Sequence, residues 1–196
     1  MSVKTGFINV PVRVPTAKYA DELLSLKCGT DLIATGFFPN LKEVTESFAA
    51  YWAVRRHCKF LKPYDPDVRV VVVGDGHKPR TAATFAFRTA WTIYSIDPAL
   101  KYSGYIPGVQ RVLCMPIKIG SFDIGLNPDL IVLVHSHAPI PSHLKSQAVV
   151  SIPCCMPDGW ELPHVEYDDW GIWSDLRRVR IWRFSQEPGV ASQVAA

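Results

Sequence analysis

Two glycines and two acids stand at spacings suited to holding a nucleoside. Gly74, Asp75 and Gly76 follow a run of valines, and Asp97 follows the next apolar run, twenty-one residues after Gly76. Glycine lets the backbone turn sharply and leaves no side chain between the backbone and a ligand. An acid about twenty residues beyond such a turn is placed to accept hydrogen bonds from a ribose diol. The pattern therefore predicts a nucleoside-containing cofactor.

The residue three places after Gly76 distinguishes two kinds of nucleoside cofactor. A dinucleotide-binding turn carries a third glycine at the start of a helix whose amides face a pyrophosphate, and here that position is Pro79. Proline fits the first turn of a helix but has no N–H to donate. The sequence thus favours a nucleoside without a pyrophosphate, with a nucleotide-dependent oxidoreductase as an alternative. A plain tight turn between strand and helix is the structural alternative.

A second set of reactive side chains follows two later apolar runs. His135 and His137 come after one run, and Cys154 and Cys155 after the other. A histidine, with an ordinary pKa near 6.5, can take a proton from a hydroxyl acceptor. In strand geometry the two histidines would face opposite sides, so at most one would face a ligand. All four could instead be structural, and adjacent cysteines lack the spacing of known zinc sites, so we expect no metal.

Apolar periodicity predicts the elements that position these side chains. The valines from Val70 to Val73 are typical of a central parallel strand with helices on both faces, because alternation disappears when both faces are covered. Apolar residues recur at helical steps from Leu41 to Trp52, which predicts a helix against the sheet that ends near Phe60. Pro116 interrupts a further strand and favours an edge position for it. The other predicted elements are helices at 17–26 and 81–90 and strands at 92–96, 109–119, 129–134, 148–152 and 177–184.

The reactive side chains should converge at one edge of this sheet. In an open parallel sheet, ligands bind beyond the carboxyl ends of the strands, where the strand order reverses. The glycine turn, Asp97, the histidines and the cysteines all follow predicted strands, so we expect them to share one site. Trp160, Trp170 and Trp173 precede the last strand, where they could stack on a base or cover the sheet edge.

Length and composition limit the class of protein. The chain has 196 residues, of which 48% are hydrophobic and 20% charged, and its net charge is +3, too small alone to indicate nucleic-acid binding. We expect a single domain at residues 41–196, with residues 1–40 as an N-terminal extension or lid. The start of the chain lacks a signal-peptide pattern and five cysteines form no disulfide framework, so we expect a cytoplasmic protein with reduced thiols and no membrane partner.

Taken together, these motifs resemble the class I S-adenosylmethionine-dependent methyltransferases over residues 41–185. The resemblance lies in Gly74-Asp75-Gly76, in Ser95-Ile96-Asp97-Pro98 and in a polar motif after the fourth parallel strand. More narrowly, His135-Ser136-His137-Ala138, followed by a strand that ends in Pro153-Cys154-Cys155, is similar to a branch that includes a tRNA ribose methyltransferase family.

The resemblance implies a Rossmann-like α/β fold, with a mostly parallel central sheet and an antiparallel terminal strand. It also implies S-adenosyl-L-methionine as the cofactor and RNA as the acceptor. The implied cofactor-binding residues are Gly74, Asp75, Gly76, Asp97, Pro98, Met115, Pro116 and His135, and the implied catalytic residues are His135 and His137.

The chain also departs from the pattern of this family. Its members usually carry an acid two residues before the first glycine, and here that position is Val72, which shifts the expected contact with the cofactor's amino group to Asp75. The motif at His135 differs from the signature of amino-nitrogen methyltransferases, so methylation of adenine N6 is not favoured. A catalytically degenerate methyltransferase-like protein, which binds S-adenosylmethionine or acts as an interaction module, is therefore a further alternative.

Overall fold

The structure is a computed structural model that describes residues 15–125, 127–136, 138–152 and 162–184. Within these ranges the helices are α1 (Lys18–Ser25), α2 (Gly29–Ala34), α3 (Leu41–His57) and α4 (Arg80–Arg88), with a short 3-10 helix at Ile119–Ser121. The strands are β1 (Arg69–Val73), β2 (Thr92–Ile96), β3 (Gly104–Ile106), β4 (Val109–Met115), β5 (Leu130–Val134), β6 (Ala148–Ile152), β7 (Val165–Asp168) and β8 (Arg178–Arg183).

All the described strands form one sheet in the order β3-β4-β2-β1-β5-β6-β8-β7. The five strands from β4 to β6 in this order are parallel, β8 runs antiparallel to β6, and β7 runs antiparallel to β8. This is the mostly parallel, Rossmann-like α/β fold with an antiparallel last strand. The order moves outward in one direction from β1 through β2 to β4, and in the other through β5 to β6. The sheet therefore has its switch point between β1 and β5.

The valines of β1 explain why the strand lies at the centre. Val70 and Val72 pack into the core on the side of the α-helices, whereas Val71 and Val73 pack into a second cluster on the opposite face. The predicted burial of both faces is confirmed. The expectation of helices on both faces is wrong for the described residues, because the second face is covered by Ile119 and Phe122 of the segment after β4 and by Leu144 of the segment after β5, among others.

One strand lies further from the sheet edge than the sequence predicts. β4 ends at Met115, so Pro116 lies beyond its ladder and the missing N–H leaves no gap in the pairing. A hairpin then places β3 outside β4, and β7 pairs outside β8 in the same way. The prediction that the strand interrupted by Pro116 lies at an edge is therefore wrong.

Helix α3 connects the N-terminal helices to the sheet. The side chain of Asn40 accepts a hydrogen bond from the backbone N–H of Glu43 at 3.1 Å and so caps the start of α3. Tyr19 and Leu23 of α1 and Leu32 of α2 belong to the same core cluster as α3, so residues 15–40 pack directly on the domain, and the boundary at residue 40 stays a prediction. None of the helices in the described ranges combines the length and the apolar character needed to cross a bilayer.

Candidate functional site

A cleft of about 570 Å³ lies at the carboxyl ends of β1, β2 and β5, on the switch point of the sheet. This volume is in the range of small-molecule sites. Gly74, Asp97, Pro98 and His135 line the cleft together, so the structure brings these four predicted site residues to one place. Parallel strands explain the convergence, because their carboxyl ends meet at the same edge.

Asp97 is held in a fixed orientation at the tip of β2. Its Oδ2 accepts a hydrogen bond from the backbone N–H of Gly76 at 2.9 Å, and its Oδ1 accepts one from the backbone N–H of Ala99 at 2.7 Å. A carboxylate has about four acceptor positions, so two remain for an incoming diol. The contact with Gly76 also ties the glycine turn to the ribose-binding candidate.

The glycine turn needs its glycines for conformation and for close packing. Gly74 has φ +85° and Gly76 has φ +72°, in the region that other residues rarely adopt. A Cβ on Gly74 would lie 2.6 Å from the Cβ of Ser136, which is too close for any side chain. Gly74 therefore makes room for the segment after β5 as well as forming part of the cleft wall.

Asp75 does not line the cleft. Its buried carboxylate accepts hydrogen bonds from the backbone N–H groups of Thr81 (2.9 Å) and Ala82 (3.1 Å) and from the hydroxyl of Ser95 (2.9 Å). Burial raises the pKa of Asp75, and these hydrogen bonds oppose the increase. The carboxylate thus caps α4 and occupies amides at the helix start that a pyrophosphate would need. The structure thus separates the side chain of Asp75 from Gly74, Asp97, Pro98 and His135, and Gly76 likewise is not part of the cleft wall.

Met115 and Pro116 stand beside the cleft rather than in its wall. Met115 is the last residue of β4 and packs, half-buried, against the apolar cluster on the second face. The cleft is lined instead by Lys118, Ile119 and Gly120, which enter the 3-10 helix. Sequence reasoning missed these three residues, since the path of the chain after β4 depends on how Ile119 packs under the sheet.

His135 pairs with a buried acid from a distant helix. Its Nε2 lies 2.8 Å from Oε1 of Glu46 on α3, and the same Oε1 lies 2.8 Å from Nζ of Lys42. Burial acts to raise the pKa of Glu46, but the contacts with His135 and Lys42 lower it overall, so the carboxylate is ionised at neutral pH. Oε2 of Glu46 is buried and has no hydrogen-bond partner among the residues that the structure describes.

Glu46 is the functional candidate that sequence reasoning missed. It lies 89 residues before His135 and sits among apolar positions of α3. The one available signal was an acid on the buried side of a helix, between Val44 and Phe48. Fully buried acids are rare unless they are paired.

Several predicted site residues lie outside the described residues. These are His137 and the Pro153-Cys154-Cys155 motif, and their roles stay predictions. Within the parts of the chain that the structure does describe, no group of three or more His, Cys, Asp or Glu side chains is arranged to hold a metal ion.

A second cavity, of about 590 Å³, is lined by Lys42, Trp173 and Arg177, among other residues. The Trp173 ring is fixed because its Nε1 donates to the backbone oxygen of Thr16 at 2.8 Å and its backbone N–H donates to the hydroxyl of Thr45 at 3.0 Å. The ring nevertheless remains 41% exposed. Lys42 joins the two cavities through Glu46 and His135.

No protein-family model matches the chain, and no curated protein matches it. Solved structures that resemble it include a cyclopropane-fatty-acyl-phospholipid synthase-like protein from Lactobacillus casei ATCC 334, at 11% identity and a TM-score of 0.41 over 69% of this chain and 57% of that chain. They also include a mutant of MtNAS in complex with S-adenosylmethionine, at 13% identity and a TM-score of 0.38 over 68% of this chain and 54% of that chain. A further structure of the MtNAS mutant has 14% identity and a TM-score of 0.37 over 69% and 53%. The chain spans little more than half the length of these proteins, and at such identities the likeness concerns the fold alone.

Proposed function

We propose that the chain is an S-adenosylmethionine-dependent methyltransferase that binds its cofactor in the cleft at the switch point. The observation that carries this proposal is the placement of Asp97. Its carboxylate is oriented by two backbone amides, lines a cleft of suitable size, and stands across the strand ends from His135. When bound, S-adenosylmethionine supplies a methyl group on a sulfonium, which a nucleophile can accept.

The residues of the cleft fit an adenosyl group. Asp97 has acceptor positions left for the two ribose hydroxyls, and Pro98 and Ile119 offer apolar surface to a base. The amides of Thr81 and Ala82 at the start of α4 are occupied by Asp75, which disfavours the pyrophosphate of a nicotinamide or flavin cofactor. This supports a methyltransferase over an oxidoreductase.

In this proposal His135 accepts the proton that the acceptor loses. A hydroxyl acceptor must lose its proton as it takes the methyl group, and a histidine in the cleft can accept that proton. We propose the same role of proton acceptor for His137, the neighbouring histidine of the same motif.

RNA is the acceptor that we propose. The cavity beside Lys42 combines a rigid, half-exposed Trp173 with the cationic side chains of Lys42 and Arg177. Aromatic rings stack on unpaired bases and cations contact phosphates, and this pairing is typical of single-stranded RNA sites. The two cations of this cavity are also paired, Lys42 with Glu46 at 2.8 Å and Arg177 with Asp175 at 3.8 Å, so a phosphate would compete with these acids.

A binding module without turnover is the second candidate, and one observation favours it. Ser136 packs directly against Gly74, at the bend where the methionine part of the cofactor would approach the backbone. Titration with S-adenosylmethionine, followed by a methyl-transfer assay on total RNA, separates the two. Binding without transfer would favour the module.

A steric block tests the proposed cofactor site. Gly120 lines the cleft, and a Cβ added there would meet no atom within 4 Å, so Gly120→Phe should fold and fill space at the cleft. We expect calorimetry to show binding of S-adenosylmethionine to the wild type and a loss of at least about tenfold in Gly120→Phe. Ser121→Phe is the matched control, because Ser121 is exposed and does not line the cleft.

Asp97→Ala tests the ribose contact in the same assay. The loss of hydrogen bonds to a charged acceptor should weaken binding by about tenfold or more. A thermal unfolding curve of each variant shows whether it is folded. Unchanged affinity in both Asp97→Ala and Gly120→Phe would refute the assignment of the cleft.

A further inference from the structure

We propose that Glu46 is a positioning residue that holds His135 with Nε2 protonated, so that Nδ1 is the nitrogen that takes the proton at the cleft. The proposal rests on the proposed function for the identity of the proton donor, a hydroxyl of the acceptor. The arrangement of Glu46 and His135 itself can be tested without any ligand.

The geometry of the pair assigns the two ring nitrogens. An ionised carboxylate only accepts hydrogen bonds, so the 2.8 Å contact with Oε1 of Glu46 requires a hydrogen on Nε2 of His135. Neutral histidine then carries its lone pair on Nδ1. Among the described residues, Nδ1 of His135 has no hydrogen-bond partner, and the residue lines the cleft.

The backbone of His135 is held in an unusual conformation at the same place. Its φ is +53°, in the left-handed region, and its N–H donates to the backbone oxygen of Ile152 at 3.0 Å. Such conformations are unfavourable for residues other than glycine and persist where the surrounding structure holds them. The end of β6 thus fixes the backbone, while Glu46 fixes the ring.

The charges around the pair keep Glu46 ionised. Lys42 contributes its ammonium group to the same carboxylate oxygen that His135 contacts. Glu43 and Arg80 lie close by on α3 and α4 and pair with each other at 3.1 Å, and Glu43 also lies 3.9 Å from Nζ of Lys42. The carboxylate of Asp75 accepts hydrogen bonds from backbone N–H groups at the start of α4.

One oxygen of Glu46 has no partner among the described residues. Within these ranges Oε2 is buried without a hydrogen bond, which costs some stability. Oε1 carries both contacts, with His135 and with Lys42, and so orients the ring of His135.

Proton transfer to His135 accompanies the transfer of the methyl group. A lone pair of the acceptor oxygen forms the bond to the methyl carbon, and the carbon–sulfur bond breaks with its electron pair left on sulfur, which gives S-adenosylhomocysteine. The hydroxyl proton passes to Nδ1 of His135, and the resulting imidazolium is paired with Glu46. Water later takes the proton from His135 and restores the neutral ring.

Nitrogen NMR of the full chain, labelled with ¹⁵N-histidine, tests the positioning role directly. We expect the Nε2-protonated tautomer of His135 in the wild type and a mixture of tautomers in Glu46→Gln, because a neutral amide no longer requires a donor on Nε2. Glu43→Gln is the matched control, since Glu43 lies on the same helix and pairs with Arg80. A Nδ1-protonated ring in the wild type, or the wild-type spectrum in Glu46→Gln, would overturn the proposal.

Kinetics add a readout that loss of structure alone would not produce. In Glu46→Gln we expect kcat for methyl transfer to fall by about 100-fold, with the Kd of S-adenosylmethionine unchanged and with an altered dependence of kcat on pH. A parallel loss of cofactor binding and activity with the wild-type pH profile would assign Glu46 a structural role only. If the wild type binds no S-adenosylmethionine, the proposed function fails, and the NMR comparison still decides whether Glu46 positions His135.

Discussion

Two buried acids in this molecule have similar partners and different arrangements. Asp169 and Glu46 are both almost completely buried, and each pairs with a lysine that is partly exposed. Both oxygens of Asp169 are used: Oδ1 accepts from Nζ of Lys18 at 2.5 Å and from the N–H of Gly171 at 2.9 Å, and Oδ2 accepts from the hydroxyl of Tyr19 at 2.5 Å. Glu46 uses one oxygen for both of its partners, and within the described part of the chain its other oxygen has no hydrogen bond.

The partners explain what each arrangement does. Lys18 and Tyr19 belong to α1, so Asp169 fastens that helix to the segment between β7 and β8. Burial and the neighbouring Asp169 raise the pKa of Tyr19, whose hydroxyl therefore stays protonated. Glu46 instead contacts His135, which lines the cleft. Asp169 is therefore a structural clamp, whereas the contact of Glu46 with His135 fits the positioning role that we propose for it.

The largest expected loss of stability follows removal of Asp169. Asp169→Ala should lower the free energy of unfolding by about 3 kcal/mol, because it leaves the buried hydroxyl of Tyr19 and the N–H of Gly171 without their acceptor. Urea unfolding measures the loss. Asp168→Ala is the control, since Asp168 pairs with Arg178 at the surface and should cost no more than about 1 kcal/mol.

Glu46→Gln should affect stability less than Asp169→Ala. The substituted amide keeps the shape of the side chain and can still accept from His135, so we expect a loss of about 1 to 2 kcal/mol by the same measurement. The large effect should appear in the state of His135. Equal losses of stability for the two variants would remove the distinction between a clamp and a chemical pair.

Lowering the pH should reduce the contributions of both Glu46 and Asp169 to the free energy of unfolding. Burial acts to raise both pKa values. Contacts with His135 and Lys42 nevertheless lower the pKa of Glu46 below its ordinary value of 4.5, and contacts with Lys18 and Tyr19 lower that of Asp169 below 3.8. Since each pKa is lower in the folded chain, the stabilisation is fully present above the ordinary value and is lost as the pH falls through the folded value.

Unfolding free energies measured from about pH 7 to about pH 3 check this prediction. Asp169→Asn and Glu46→Gln should each show a shallower fall in acid than the wild type. A variant that keeps the full acid dependence of the wild type would show that the corresponding carboxylate is not ionised in the folded chain.

Thiol labelling provides the smallest and most local test. Burial raises the pKa of Cys58 to about 11 and that of Cys114 to about 12, so both thiols should resist a thiol reagent in the folded chain. We expect labelling of these two residues, identified by mass spectrometry, to accelerate more in Asp169→Ala than in Glu46→Gln. The reverse order would contradict the assignment of Asp169 as the structural clamp.

The sequence predicted the parts of the fold that depend on local pattern. The valines of β1 and the apolar steps of α3 each reflect burial of their own side chains. β3 and β7 were missed because they are short edge strands, formed through pairing with β4 and β8 rather than through an apolar run of their own. Which residues cover the second face of the sheet likewise depends on the path of the loops, so it could not be predicted from local pattern.

The candidate site was predictable where strand ends alone position it. Gly74, Asp97, Pro98 and His135 converge because they follow parallel strands. Glu46 was not predictable in this way, since it reaches His135 from a helix far away in sequence. Asp75 stands beside the glycines in sequence, but its side chain turns to the start of α4, and adjacency does not reveal that direction.

The central claim is that Asp97 holds the ribose of an adenosyl ligand in the switch-point cleft. A crystal structure of the chain with S-adenosylhomocysteine tests this claim most directly. We predict density in the cleft, with the ribose hydroxyls within hydrogen-bond distance of the Asp97 carboxylate and the base near Pro98 and Ile119. A ligand bound elsewhere, or bound in the cleft with its ribose away from Asp97, would contradict the account.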